Sequence, residues 1–322
     1  MKVCKFGGSS LADAAQVSKV CDIVLADAAR RVVVVSAPGK RHRDDTKVTD
    51  LLIACATSAL VGVDPECALR EVISRYEAIR DGLDLPCAVV SEIEDDLRRR
   101  LQGDRSDKGR FMDLMKAAGE DNSARLVVAA FHARGVKARY VDPCFSGMLL
   151  EGESGNATLC DDAYELLAGA LRPEEDLIVF PGFFGVTREG WVATFPRGGS
   201  DITGAILAAA LKAECYENFT DVDKVYAVDP RIVPEVRHGI VEMTYREMRE
   251  LSYAGFGVFH DEAVLPAIRA GIPIDIRNTN RPEQPGTRVV PKRVIAGCAV
   301  VGIASDVGFV NIYVDKYMMN RE

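Results

Sequence analysis

Residues 195–213 constrain this chain more than any other stretch. They read Phe-Pro-Arg-Gly-Gly-Ser-Asp and continue into Ile-Thr-Gly-Ala-Ile-Leu-Ala-Ala-Ala-Leu-Lys-Ala. Two glycines between an arginine and a Ser-Asp pair, then an alanine- and leucine-rich run, predict a loop that opens a buried helix. Ser200 suits the N-cap and Asp201 the first turn. Free N–H groups at a helix start attract anions, and glycines let a ligand approach the backbone. Arg197 offers a planar fork for a carboxylate or phosphate. An ordinary glycine turn ahead of a helix would use the same residues, so the decision rests on companion segments.

The first companion lies at the N-terminus. Residues 2–6 predict a short strand that ends in Gly7-Gly8-Ser9-Ser10. A helix follows, with Val17, Val20, Cys21, Val24, Leu25 and Ala28 on one face. Val32 to Val35 then form a continuous β-branched run, the pattern of a buried parallel strand. Together they make a βαβ unit. Lys5 stands just before the glycines, where a lysine and backbone N–H groups cradle phosphates, although the Walker pattern is absent. The stretch 40–45 reads as a solvated mobile loop. Its His42-Arg43-Asp44 lacks the companions of a protein-kinase catalytic loop.

Further along, a helix over 46–59 carries Thr49 near its start. Residues 64–135 read as helical, with Arg98-Arg99-Arg100 on a wet face and Glu120 at a break between two helices after Gly119. Residues 136–141 read as a strand, followed by an irregular segment to Thr158 and a short helix over 161–169. A buried strand over 177–180 ends in Pro181-Gly182, and 191–195 serve as a hairpin partner. The strand 215–219 ends in Thr220-Asp221-Val222-Asp223. Polar groups thus gather where strands end, near Lys5, Ser36, Gly182 and Thr220. Open α/β sheets bind ligands at that edge. Asp221 and Asp223 lack a third carboxylate at ligand spacing, so contacts to a nucleotide suit them better than a metal pair. Helices over 244–253 and 261–270 and strands over 272–277 and 288–290 complete this part.

Composition narrows the partners. A formal net charge of −8 argues against nucleic acid or an anionic membrane as a partner. No apolar run is long enough to span a bilayer, and the first glycines arrive too early for a secretory segment. The nine cysteines are scattered, mostly in apolar runs, without a Cys-x-x-Cys pair. That fits reduced thiols and a cytoplasmic setting.

Taken in order, these motifs resemble the aspartokinases of the amino acid kinase family. The resemblance rests on Lys5-Phe6-Gly7-Gly8-Ser9-Ser10, Gly119-Glu120, Arg197-Gly198-Gly199-Ser200-Asp201, and Phe219-Thr220-Asp221-Val222-Asp223 with Tyr226 and Asp229-Pro230-Arg231. It covers nearly the whole chain. From Val300 onward the sequence resembles the first strands of an ACT regulatory domain. The expected division is a catalytic domain over 1–297 and an incomplete ACT-like start over 298–322. The pattern departs from the family at Phe195-Pro196 and Lys224, and keeps Lys5, Arg197 and Asp201.

The resemblance implies a three-layer α/β/α sandwich with a mainly parallel sheet. It implies ATP-dependent phosphorylation of the β-carboxylate of L-aspartate to 4-phospho-L-aspartate, the first step toward lysine, threonine and methionine. Lys5 would neutralise the transferring phosphoryl group and Asp201 would orient that lysine. Gly7, Gly8 and Ser9 would hold phosphates, and Thr220, Asp221, Tyr226 and Arg231 would line the nucleotide. Thr49, Glu120, Arg197 and Ser200 would hold aspartate, with Arg197 on its α-carboxylate and Glu120 on its ammonium. Magnesium would come with the ATP, and no residue is assigned to a metal. Such chemistry needs alignment and charge neutralisation more than covalent catalysis. A carboxylate nucleophile is already ionised, so no general base is required. The resemblance leaves room for a homodimer. Two rivals stand beside it: a sibling kinase acting on another amino-acid carboxylate, and a non-catalytic effector-binding subunit.

Overall fold

In the computed structural model, which describes residues 1–228, 232–233, 239–253, 261–294 and 300–303, strand β1 (Lys2–Phe6) pairs in parallel with the valine run, β2 (Arg30–Val35). Helix α1 (Ala14–Leu25) connects them, capped by Asp13, whose carboxylate accepts from the Gln16 N–H at 2.9 Å. Four helices follow: α2 (Val48–Leu60), α3 (Glu66–Gly82), α4 (Cys87–Leu101) and the long α5 (Lys108–Ala133). Next come β3 (Ala138–Tyr140), α6 (Pro143–Ser146), a hairpin of β4 (Leu150–Glu153) and β5 (Asn156–Leu159), α7 (Ala163–Ala170) and β6 (Leu177–Pro181). A second hairpin, β7 (Phe184–Val186) and β8 (Val192–Thr194), delivers the chain to α8 (Gly199–Ala210) and β9 (Cys215–Thr220). The rest comprises β10 (Glu242–Thr244), α9 (Tyr245–Tyr253), α10 (Leu265–Arg269), β11 (Ile274–Asn278) and β12 (Thr287–Val290).

Among the described residues eight strands form one sheet in the order β10-β12-β11-β9-β1-β2-β6-β3. Every pairing is parallel except β11 with β12. Strand alternation divides the buried side chains between two cores. Val33 and Val35 join Cys4, Phe6, Val179 and Phe219 beneath α1 to α5. Val32 and Val34 join Val3, Ile178, Phe180 and Tyr216 against Ala205, Ile206, Leu207 and Ala208 of α8. Both faces are covered, which is why the valine run is unbroken. The expected three-layer sandwich is the observed one.

One buried charge cluster ties the central strands together. Glu217 of β9 is fully buried and accepts from Arg30 Nε at 2.6 Å and Nη2 at 3.0 Å. Arg277 Nη1 reaches it at 3.1 Å, Lys2 Nζ lies 3.6 Å away, and the Cys4 thiol donates to it at 3.3 Å. The two guanidinium groups also lie over the Phe219 ring, 5.5 and 5.7 Å from its centre. Burial is the largest single effect and pushes the Glu217 carboxyl up, but Arg30, Lys2 and the Cys4 thiol together hold it below its ordinary range.

Several expectations need correction. The segment before Thr158 is not irregular: Asp142 caps α6 through the Cys144 N–H at 2.8 Å, and β4–β5 follows. The 40–45 loop is fastened rather than free. Asp45 bonds Arg41 Nε at 2.8 Å and Arg75 Nη1 at 2.9 Å, and buried Arg75 also donates to the carbonyls of Thr46, Gly39 and Ala12. Arg100 is not on a wet face, since it pairs with Asp96 at 2.7 Å and with buried Asp121. Cys67 and Cys87 are exposed, though all eight described cysteines are free thiols. The division at 297/298 and the ACT-like segment after residue 303 lie outside the described residues, and residues 300–303, where the first of those strands is expected, are not in a strand. No described helix is long and apolar enough to cross a membrane.

Glu217→Gln should cost roughly 3–5 kcal/mol, because it strands buried cations without their counter-charge. Urea unfolding followed by circular dichroism checks this, and a loss below about 1 kcal/mol would contradict the assigned role.

Candidate active site

The chain runs outward from β1 to β2 and β6 on one side, then returns to place β9 on the other side of β1. That reversal opens a crevice beyond the carboxyl ends of β1 and β9, where parallel sheets take ligands. Lys5 and Asn218 are register partners there. Alternation sends Lys5, with Val3, toward α8, and Asn218, with Tyr216, to the same face.

Lys5 is 8% exposed, and its Nζ sits 2.7 Å from Asp201 Oδ1. Asn218 Nδ2 donates to the same oxygen at 2.6 Å and lies 3.0 Å from the Tyr216 hydroxyl, which in turn donates to the Asp201 carbonyl at 3.2 Å. A methyl group at Gly204 would sit 2.6 Å from the Tyr216 ring, so glycine is what lets α8 lie against β9. The Lys5–Asp201 pair is thereby held from two strands and one helix.

The glycine turn follows directly. Gly7 N–H continues the ladder to the Phe219 carbonyl at 3.3 Å, and Gly39 N–H donates to the Gly8 carbonyl at 2.8 Å. A side chain on Gly8 would meet the Ala37 carbonyl at 2.9 Å, and one on Gly7 would approach Lys5 Nζ at 3.4 Å. Ser9 is exposed, while Ser10 is buried and shares a 2.6 Å hydrogen bond with Thr279. Thr220 accepts the Thr279 N–H through its carbonyl at 2.9 Å, and Asp221 is exposed beside it. Tyr226 is half-buried and bridges Gly239. Arg231 lies outside the described residues.

Opposite this turn stands Glu120. It does not mark a break between helices: it lies inside the continuous α5. Gly119 brings α5 close, since a side chain there would sit 2.8 Å from Ala37 Cβ and 3.2 Å from Leu52. Burial pushes the Glu120 carboxyl up to about 8, opposed by the Ala37 N–H and the Lys5 charge. Its Oε2 is buried without a hydrogen-bond partner. A shielded carboxyl with one open oxygen is a receptor for a small cation. Thr49 sits in the first turn of α2, whose Val48 N–H donates to the Pro38 carbonyl at 3.1 Å.

Gly198, not Ser200, caps α8. It adopts φ 82°, which glycine tolerates. Ser200 is buried against Gly182, where any side chain would meet its Oγ at 2.7 Å. Arg197 is exposed and has no hydrogen-bond or ion-pair partner among the described residues. Lys5, Gly7, Gly8, Ser200, Asp201 and Thr220 therefore share one edge of the sheet, with Glu120 facing it. Arg197 stands on the turn that leads in. No group of three or more His, Cys, Asp or Glu residues that could hold a metal occurs among the described residues.

Known proteins resemble this chain in sequence and fold. The model of the amino acid kinase family matches residues 1–278. Aspartokinase 3 of Bacillus subtilis is 56% identical over all of this chain and 70% of its own length. The chain belongs to the amino acid kinase family, in its aspartokinase branch. The lysine-sensitive aspartokinase 3 of Escherichia coli is 33% identical over 90% of the chain. Among solved structures, the aspartate kinase of Clostridium acetobutylicum superposes with a TM-score of 0.81 at 33% identity over 94% of the chain. Escherichia coli aspartokinase III in complex with aspartate and ADP gives 0.80 at 30% identity over 91% of it. The chain spans 64% of the Escherichia coli relative and 65–66% of these two solved chains.

Sequence reasoning missed Asn218 and Tyr216. The available signal was two adjacent polar residues, Glu217 and Asn218, in a strand whose register makes it central. Alternation then requires one on each face. Gly39 and Thr203 were also missed, because their meaning lies in what packs on them.

Glu120 gives a pH-dependent stability. Its folded value lies above the ordinary carboxylate value of 4.5, so ionisation costs stability as pH climbs from that value to about 8. Glu120→Gln removes this cost. Its melting-temperature advantage over the parent should widen between about pH 5 and 8 and then level off. Calorimetry across that range tests it; a constant difference would contradict the buried, unpartnered carboxyl.

Proposed function

We propose that the chain carries the catalytic unit of a kinase that transfers the γ-phosphoryl group of ATP to the β-carboxylate of L-aspartate. The observation that carries this reading is the Lys5–Asp201 pair at the glycine turn. A buried ammonium there faces backbone N–H groups and the N-terminus of α8, a setting for phosphate. The solved relative in complex with aspartate and ADP supports both substrates.

In this reading Lys5 neutralises charge that builds on the transferring phosphoryl oxygens, and Asp201 keeps its ammonium in place. Asn218 fixes the Asp201 oxygen that takes the lysine. Gly7, Gly8 and Ser9 hold the phosphates, with Thr220, Asp221, Tyr226 and Arg231 along the nucleotide. Glu120 takes the α-ammonium on its open oxygen, and Arg197 takes the α-carboxylate. Thr49 and Ser200 complete the pocket. The acceptor β-carboxylate is ionised at neutral pH and attacks without a base. Magnesium would arrive on the nucleotide and, when bound, neutralise phosphate charge; the hard oxygen donors beside Lys5 are those of Asp201. The eight described cysteines, all free thiols, suit a reducing cytoplasmic compartment.

Trapping the acyl phosphate with hydroxylamine, with ATP and L-aspartate supplied, tests the activity directly. Lys5→Ala should lower kcat by roughly 10²–10³-fold while the circular dichroism spectrum is kept. A near-normal rate would reject its role. Arg197→Ala should raise KM for aspartate roughly 10–100-fold and leave KM for ATP within about threefold. Parallel changes in both constants would contradict the assignment.

A further inference from the structure

Asp113 lies two turns before Glu120 on α5 and is 1% exposed. Its acceptor capacity is filled. Oδ2 takes the Thr194 N–H at 3.0 Å and the Gly155 N–H at 2.8 Å. Oδ1 takes the Thr194 hydroxyl at 2.9 Å and lies 2.8 Å from Lys116 Nζ. Thr194 ends β8, three residues before Arg197. Gly155 is the turn of the β4–β5 hairpin.

A second arm runs through Lys116. Its ammonium lies 5.8 Å from the centre of the Phe183 ring. Phe183 holds φ 76°, a left-handed conformation that costs a bulky residue energy. Three contacts keep it there. Its N–H donates to Thr203 Oγ1 at 3.0 Å, its carbonyl accepts the Phe195 N–H at 2.9 Å, and its ring packs where a side chain on Gly199 would come within 2.6 Å. The same carboxylate thus grips the strand that leads into Arg197 and, through Lys116 and Phe183, braces the start of α8.

We infer that Asp113 is a positioning residue for the acceptor substrate: it locks the Arg197 turn and the head of α8 to the helix that carries Glu120. The inference rests on the aspartate-binding roles given above. Two groups that hold opposite ends of one small amino acid must keep a fixed separation, and they arise 77 residues apart in sequence. Asp113 fastens the elements that carry them. On the nucleotide side, β1 and β9 lie outside this clamp, and Asp201 of α8 is held separately by Asn218 and Tyr216 of β9.

Substitution separates this role from plain stability. Asp113→Asn keeps shape and volume but cannot accept all four donors, since one of its atoms becomes a donor itself. We expect KM for aspartate to rise about tenfold or more, with KM for ATP within about twofold and kcat within about threefold. Thr194→Val, which loses only the hydroxyl, should give a smaller shift of the same kind, and Thr194→Ser should restore the parent value. Hydrogen exchange at the Thr194 and Gly155 amides reads the clamp without reference to activity. In Asp113→Asn both should lose protection while β1 and β9 stay protected. Equal rises in both KM values, or deprotected amides with an unchanged KM for aspartate, would overturn the inference. Global deprotection of Asp113→Asn leaves Thr194→Val and Thr194→Ser to decide it by the same split. An inactive parent chain with these two amides protected would count against the kinase reading, whereas an active parent without the split counts against the clamp.

Discussion

A lysine ammonium 2.7 Å from an aspartate, with little access to water, is the interaction on which the other features depend. Such a pair survives burial only when its geometry is fixed and its remaining valences are met. The fold supplies both. Parallel pairing of β1 with β9 sets Lys5 across from Asn218, and the close approach of α8 permitted by Gly204 brings Asp201 to them. Asn218 then meets the same carboxylate oxygen as the lysine. The ion pair is placed by main-chain register, which no side-chain rearrangement in the crevice can shift.

Around it the molecule spends its buried charge on rigidity. Glu217, on the opposite face of β9 from Asn218, gathers Arg30, Arg277 and Lys2 and ties four adjacent strands at their cores. Arg75 fastens the 40–45 loop and donates to the carbonyl of Gly39, the residue whose N–H supports Gly8. Asp113 gathers Thr194, Gly155 and Lys116 between α5 and β8. The oxygens of the Glu217 and Asp113 carboxylates are met, while Arg277 Nε is buried without a hydrogen-bond partner. Glu120 also keeps one buried oxygen open, and it lies within reach of the Lys5 charge. An unmet acceptor beside that edge is what a ligand-binding carboxylate presents before its ligand arrives.

Much of the architecture was legible because it follows local rules. The valine run announced a strand covered on both faces, the glycine turn after β1 announced the edge where ligands bind, and the alanine-rich run announced a helix pressed against the sheet. Errors arose where a local rule met a distant partner. Ser200 has good capping chemistry, yet Gly198 takes the cap because its left-handed backbone turns the chain and Ser200 is needed against Gly182. Gly119 looks like a helix break, yet its missing side chain serves packing against Ala37 and Leu52, so α5 runs through. Residues 40–44 are exposed as expected, yet Arg75 from α3 pins the loop through Asp45.

By itself, then, the order of residues determined the βαβ beginning, the layered fold and the set of side chains with phosphate and carboxylate chemistry, because strand and helix periodicity and glycine placement act over a few residues. Which of those side chains meet, and in what protonation, only the tertiary structure decided. Lys5 and Asp201 are 196 residues apart, and their meeting depends on sheet register. The high value of Glu120 depends on how much water the packing of α5 against the 36–39 loop excludes, and solvent exclusion is a property of the whole assembly of layers.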